Sequence, residues 1–173
     1  MPNTLVTTYL EMTDPADFHP APLGAVAGQV VIMEACNPDV RFYKFLYNSV
    51  GDALLWRDRL LISDEALRAE IHAETTCIYV LYVDGTPAGY IELAQQGEET
   101  EVAYFGLRPG FKGRGLGKYL LSYGIARAWE TGTKRIWLHT CNLDGKHALS
   151  NYLKRGFSVY AVEEEPMPQR YAS

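Results

Sequence analysis

Cysteine is scarce in this sequence. Cys36, Cys77 and Cys141 are odd in number and contain no Cys-x-x-Cys pair, so no disulfide framework is expected, and the thiols read as reduced, as in a cytoplasmic protein. The four histidines form no cluster at ligand spacing, and no metal site is expected. Long apolar runs are missing as well: the longest, residues 77–83, falls far short of the ~20 residues a membrane helix needs. The first residues carry no basic segment of the kind that opens a secretory signal, which again points to a soluble intracellular chain with no membrane partner. Positive charge is in deficit. Sixteen Lys and Arg against 21 Asp and Glu leave a net charge of −5, which argues against a nucleic-acid binder and favours a cationic partner. Repeats and linkers are lacking too, so 1–173 is expected to be a single domain, long enough to bury roughly 70% of its unfolded surface.

What the chain has in quantity is glycine at one place. In residues 101–121, EVAYFGLRPGFKGRGLGKYLL, an alternating strand pattern breaks into a turn with Gly113, Gly115 and Gly117 at alternate positions, and a helical pattern follows. Residues without Cβ let the backbone approach a ligand, and successive N–H groups can converge on an anion. The helix that follows aims its positive end at the same point. Lys112, Arg114 and Lys118 add cations, so a ligand with more than one phosphate fits better than a lone carboxylate. A P-loop would need glycine at position 112 and Ser or Thr at 119, where Lys112 and Tyr119 stand. The dinucleotide pattern Gly-x-Gly-x-x-Gly fails from either starting glycine, at Lys118 or at Leu120.

Around this turn the chain alternates between strand and helix signals. Residues 4–12 are β-rich and lead into a breaker run, 13–22, with three prolines. Residues 28–35 form either a second short strand or an extended entry, and Asn37-Pro38-Asp39 opens a helix. Apolar and aromatic residues then recur at helical spacing over 40–50, with Trp56 among charges in 54–61 and a third helical pattern from Ser63 to about Ala73. These aromatics suit core packing, or one wall of a substrate cleft. Residues 76–83 and 86–93 make a hairpin across Asp84-Gly85, whose residues tolerate positive φ. Residues 101–107 continue the meander into the glycine turn. The helix after it keeps Leu116, Leu120, Leu121, Ile125, Ala128 and Trp129 in register and stops at Gly132. A strand at 134–140, a loop at 141–145, a short helix at 146–155 with Gly156 as its C′ residue, and a strand at 157–162 complete the pattern. Residues 163–173, acidic and then proline-interrupted, show no structural signal.

The glycine turn resembles motif A of the GNAT superfamily of acetyl-CoA-dependent N-acetyltransferases, Gln/Arg-x-x-Gly-x-Gly/Ala after a strand and opening a helix. Lys112, Gly115 and Gly117 occupy those slots, with lysine where the pattern has Gln or Arg. Ala148-x-x-x-Tyr152-x-x-x-Gly156-Phe157 is similar to the family's later helix and strand, and the resemblance extends over about residues 77–157. It implies an α/β (α+β) fold: a mixed, mostly antiparallel central sheet flanked by helices, with the glycine-rich cofactor loop between the fourth strand and the following helix. It implies acetyl-CoA as co-substrate and no metal. It places Phe105, Gly106 and Leu107 against pantetheine, with Gly106 favouring a bulge that frees the strand's backbone. Lys112, Gly113, Arg114, Gly115, Leu116, Gly117 and Lys118 would then surround the pyrophosphate. Asn142 would bind a pantetheine amide.

Acetyl transfer to an amine needs a neutral amine, a polarised carbonyl and a proton for the departing thiolate. An amine of pKa near 10.4 is neutral in only about one molecule in 10³ at pH 7, so a base is needed. Glu101, at the start of the strand before the glycine loop, is where some family members keep that base; Glu92 is the reserve, and a water path is the third option. Tyr152 falls on the family's tyrosine near the CoA sulfur, and its high pKa suits a proton donor. His139 and His147, with no partner pattern, read as structural or surface groups. The resemblance implies N-acetyl transfer to a small-molecule amine in a ternary complex. A peptide or protein acceptor and a non-catalytic acyl-CoA sensor remain as alternatives. Edge strands near the C-terminal end are compatible with a homodimer.

Overall fold

Asp84 and Gly85 both take positive φ, 49° and 76°, the geometry of a tight hairpin. They join β3 (Thr76–Val83) to β4 (Thr86–Gln96), and β5 (Glu99–Leu107) extends the meander. The computed structural model describes residues 2–171. Before this meander come β1 (Thr4–Met12), β2 (Val30–Glu34), α1 (Val40–Gly51), the single turn α2 (Asp58–Leu61) and α3 (Asp64–Ile71). After it come α4 (Leu116–Glu130), β6 (Arg135–Cys141), α5 (Ala148–Lys154) and β7 (Ser158–Pro166). The seven strands form one sheet in the order β2-β3-β4-β5-β6-β1-β7, antiparallel throughout except between β5 and β6.

β4 lies near the middle of the sheet and is buried on both faces, which is why its sequence alternates two kinds of core residue. Ile91 and Leu93 pack with α4 residues Leu116, Leu120, Leu121 and Ile125. Tyr90, on the other face, packs with Tyr43, Leu46, Tyr47 and Val50 of α1 and Leu67 and Ile71 of α3. Helix starts follow the local chemistry: Asp39 accepts from the Phe42 N–H at 2.9 Å and Ser63 from that of Ala66 at 3.1 Å. The breaker run reaches across to the helical layer, where the Ala21 N–H donates to Ser122 Oγ at 2.8 Å.

Three expectations change. Residues 28–35 do contain a strand, β2, so the glycine loop follows the fifth strand instead of the fourth. Position 55 breaks the helical pattern of 54–61: Leu55 is left-handed, with φ 60°, and only one turn follows it. The last strand does not stop at Val162. Glu163, Glu164 and Glu165 pair with Thr7, Val6 and Leu5 of β1, because an edge strand can direct charged side chains to solvent while its backbone completes the ladder.

Candidate active site

The site begins where two strands part. β5 and β6 pair only from Glu99↔Arg135 to Glu101↔Trp137. Beyond that rung β6 stays with β1 and β5 stays with β4, so from Ala103 to Leu107 one edge of β5 has no strand beside it among the described residues. Such an edge presents N–H and C=O groups that need partners. A bulge in the same stretch sets the side chains: Leu93 opposes Val102 and Glu92 opposes Tyr104, leaving Ala103 extra. The alternation resets there, so Val102 and Phe105 face α4 while Tyr104 faces α1. The bulge is not at Gly106, which stays in register with Tyr90. Glycine is needed at 106 for another reason: a Cβ there would fall 2.5 Å from Val50 Cγ1 of α1.

The edge leads to the glycine turn. Gly113 and Gly115 have φ of 78° and 76°, and Gly115 caps α4 without any side-chain hydrogen bond to the helix's first N–H groups. Among the described residues, no heavy atom lies within 4 Å of a Cβ built on Gly113. Bare amides therefore face open space at the positive end of a 15-residue helix, a geometry suited to phosphate. The cavity in front of it, about 610 Å³, is lined by Phe105, Gly106, Leu107, Lys112, Gly113, Gly115, Gly117 and Lys118. Its opposite wall was not expected. Lys146, Ser150 and Lys154 recur at four-residue spacing on and before α5, and His147 and Asn151 stand beside them. That spacing is visible in the sequence, but nothing in it says which wall α5 faces.

Three expected cofactor residues are placed differently. Arg114 bends back, donating from Nη2 to Gly110 O at 3.0 Å and stacking 5.5 Å from the Phe111 ring centroid, away from the cavity lining. Leu116 is fully buried in the core and offers only its backbone. Asn142 is occupied elsewhere: its Oδ1 accepts the Val6 N–H at 3.1 Å and its Nδ2 donates to Thr4 O at 3.0 Å. It extends the β6–β1 ladder by side chain because both its polar atoms find backbone partners there, and it lines a separate cavity.

A narrow cavity of about 100 Å³ shares Phe105 with the cradle cavity and is also lined by Tyr152, Ala103, Trp56 and His139. Tyr152 makes edge-to-face contacts with Phe105 and Phe157, each at 6.2 Å between centroids. Burial first, and then the Asp144 carboxylate, push its pKa up, so its hydroxyl keeps the proton at neutral pH.

Asp58, Ala103, Tyr104 and His139 also line a second cavity of about 500 Å³, which holds Glu101, Glu92, Glu70 and Arg59. Glu101 lies 3.8 Å from His139 Nδ1. Burial raises its pKa; the nearby His139 and Arg59 act against that. Glu92, by contrast, is 1% exposed and already bound at both oxygens: Arg59 Nη2 donates at 2.7 Å and the Tyr43 hydroxyl at 2.5 Å. Arg59 also pairs with Glu70 and lies 5.1 Å from the Tyr104 ring centroid. Of the two candidate bases, Glu101 faces the cavity without a competing Lys or Arg partner among the described residues. His139, read from sequence as structural or surface, is its neighbour. The signal was the even spacing of Trp137 and His139 on one strand face, which sequence cannot register against Glu101.

Residues 41–157 match the acetyltransferase (GNAT) family, well over half of the chain. A curated relative, an uncharacterised N-acetyltransferase from the pepI 3′ region of Lactobacillus delbrueckii subsp. lactis, is 31% identical over 108 residues, covering 58% of this chain and 62% of that protein. A GCN5-related N-acetyltransferase from Sphaerobacter thermophilus superposes with a TM-score of 0.68 at 15% identity over 95% of this chain and 52% of its own. An N-acetyltransferase from Thermoplasma acidophilum in complex with coenzyme A gives 0.57 at 17% identity over 80% of this chain and 99% of its own. The chain thus spans about three-fifths of the curated relative (62%) and about half of the first of these structures (52%).

Proposed function

The chain belongs to the acetyltransferase (GNAT) family, and from that premise we propose that it transfers an acetyl group from acetyl-CoA to a primary amine of a small molecule, by direct attack in a ternary complex. One observation carries the reading: where β5 leaves β6, a cation-lined glycine cradle and an acidic cavity open onto the same short stretch of strand. The residues fit the co-substrate. Bare glycine amides, an uncapped helix start, and Lys112, Lys118, Lys146 and Lys154 suit a polyphosphate. The free edge of residues 105–107 suits an amide-bearing chain added as a strand. Bound there, acetyl-CoA supplies the acetyl group as a thioester.

The chain's own residues then have distinct tasks. The acidic cavity draws in the acceptor as its ammonium form. Glu101, part-buried and without a Lys or Arg partner among the described residues, takes the proton that turns the ammonium into a nucleophilic amine and passes it to solvent; the second proton leaves the nitrogen as the N–C bond forms and replaces the one that Tyr152 gives up. Edge N–H groups of residues 105–107 hold the carbonyl oxygen as charge develops. Tyr152 donates its hydroxyl proton to the sulfur as the C–S bond breaks. Glu92 keeps Arg59 in place beneath the cavity. The test is coenzyme A release with acetyl-CoA and a panel of small amines, run beside a panel of peptides. Release with small amines supports the reading; release only with peptides, or with neither panel, overturns it.

A further inference from the structure

After β7 ends at Pro166 the chain does not leave the fold. The Met167 N–H donates to Asn3 O at 3.0 Å, and a 3₁₀ turn, Gln169–Tyr171, closes with the Tyr171 N–H on Pro168 O at 3.0 Å. The turn brings two side chains from the β7 edge of the sheet to the helical layer over the other half. Arg170 Nε lies 3.4 Å from Asp58 Oδ1, the first residue of α2. Tyr171 lines the narrow cavity together with Trp56, Ala103, His139 and Tyr152. Asp58 lines both that cavity and the acidic one. Residues 167–171 therefore tie the two banks of the cleft together at the point where the cradle side and the acidic side meet.

We propose that residues 167–171 are a strap over the acyl-transfer end of the cleft, with Tyr171 positioning the acceptor amine and the Asp58–Arg170 pair as the latch. The inference rests on the acetyl-transfer reading above. The Tyr171 ring, which lines the same cavity as Trp56 and Tyr104, already carries the Arg170 guanidinium 4.7 Å from its centroid, so release of Arg170 leaves a cation-binding aromatic face for an ammonium group. The latch is built to open: its side chains are 43% and 56% exposed, and exposed ion pairs bias an equilibrium by no more than about fivefold. An entering ammonium meets the same carboxylate that holds Arg170, so binding of the acceptor and release of the latch compete for one group.

The test uses the full chain and the variants Tyr171→Ala, Tyr171→Phe, Arg170→Ala, Asp58→Asn and the last two combined. Hydrogen–deuterium exchange over residues 165–171 reports the strap. Arg170→Ala and Asp58→Asn should each speed exchange there by roughly two- to fivefold, and the double variant no further, since both remove one interaction. For an amine turned over by the wild type, Tyr171→Ala should raise KM about tenfold while the calorimetric Kd for coenzyme A moves less than about twofold, and Tyr171→Phe should restore KM. Unchanged exchange in both single variants, additive effects in the double, or an equal loss of coenzyme A affinity in Tyr171→Ala overturns the strap. If no amine is turned over the transfer reading falls, and the exchange data alone then decide whether the latch exists.

Discussion

His139 Nδ1 lies 3.8 Å from a carboxylate oxygen of Glu101, just past the last rung at which β5 and β6 are paired. The contact fixes the mouth of the acidic cavity to the strand that faces the glycine cradle, and it brings a titratable ring beside the proposed base.

Burial raises the Glu101 pKa despite the opposing effects of His139 and Arg59. A base works only after losing its proton, so kcat/KM of the wild type should rise with pH through an ionisation above the usual carboxylate range. Glu101→Gln keeps the size and cannot accept a proton. Its kcat/KM at pH 7 should fall by about 10² to 10⁴, with partial recovery at high pH, where more of the amine is already neutral. A loss below about threefold would assign the proton to water.

Tyr152→Phe removes one hydroxyl and leaves both edge-to-face contacts in place. If that hydroxyl protonates the leaving sulfur, kcat should drop roughly 10- to 10³-fold with little change in Tm. Full activity in this variant would return Tyr152 to a packing role. Circular dichroism melts run beside the kinetics separate the two.

At the cradle, Gly115 has φ 76°, which a β-branched residue adopts only with strain. Gly115→Val should weaken coenzyme A by about tenfold or more. Gly113→Ala is the companion: its φ of 78° strains any residue with a Cβ, although the new Cβ meets no heavy atom of the described residues within 4 Å. Isothermal titration of the folded variants checks both, and unchanged affinity in Gly115→Val would remove the phosphate site.

Arg59→Met tests the buried pair beneath the cavity. Removing one partner leaves the Glu92 carboxylate buried with only the Tyr43 hydroxyl, which should cost roughly 3–5 kcal/mol at neutral pH. Burial already raises the Glu92 pKa, and losing the guanidinium raises it further. An acid with a raised folded pKa favours the folded state while protonated, and that contribution is lost as pH rises through the folded value. The variant's deficit should therefore shrink as pH is lowered from 7.5 toward 5. A deficit independent of pH in denaturant titrations would mean that Glu92 is not the group left behind.

The features legible in the sequence are those that a few adjacent residues decide. Asp84-Gly85 closes a hairpin because both positions tolerate positive φ, Gly156 ends α5 with φ 106°, and three alternate glycines before an apolar stripe make a cradle at a helix start. Periodicity at 3.6 or 2 residues supplied the rest of the element order. Tertiary structure alone decided where β5 parts from β6, that Ala103 and not Gly106 is the bulged residue, and that Asn142 spends its amide on Val6 and Thr4. It also decided that Arg59 pairs with Glu92 while Glu101 lies beside His139, and that a proline-broken tail crosses the cleft to Asp58. Apart from the bulge, which lies within one hairpin, these are pairings between residues 33 to 138 positions apart. Backbone propensity and side-chain period say what a segment will be; which segments meet is set only when the whole apolar surface is buried at once and each buried polar group has found a partner.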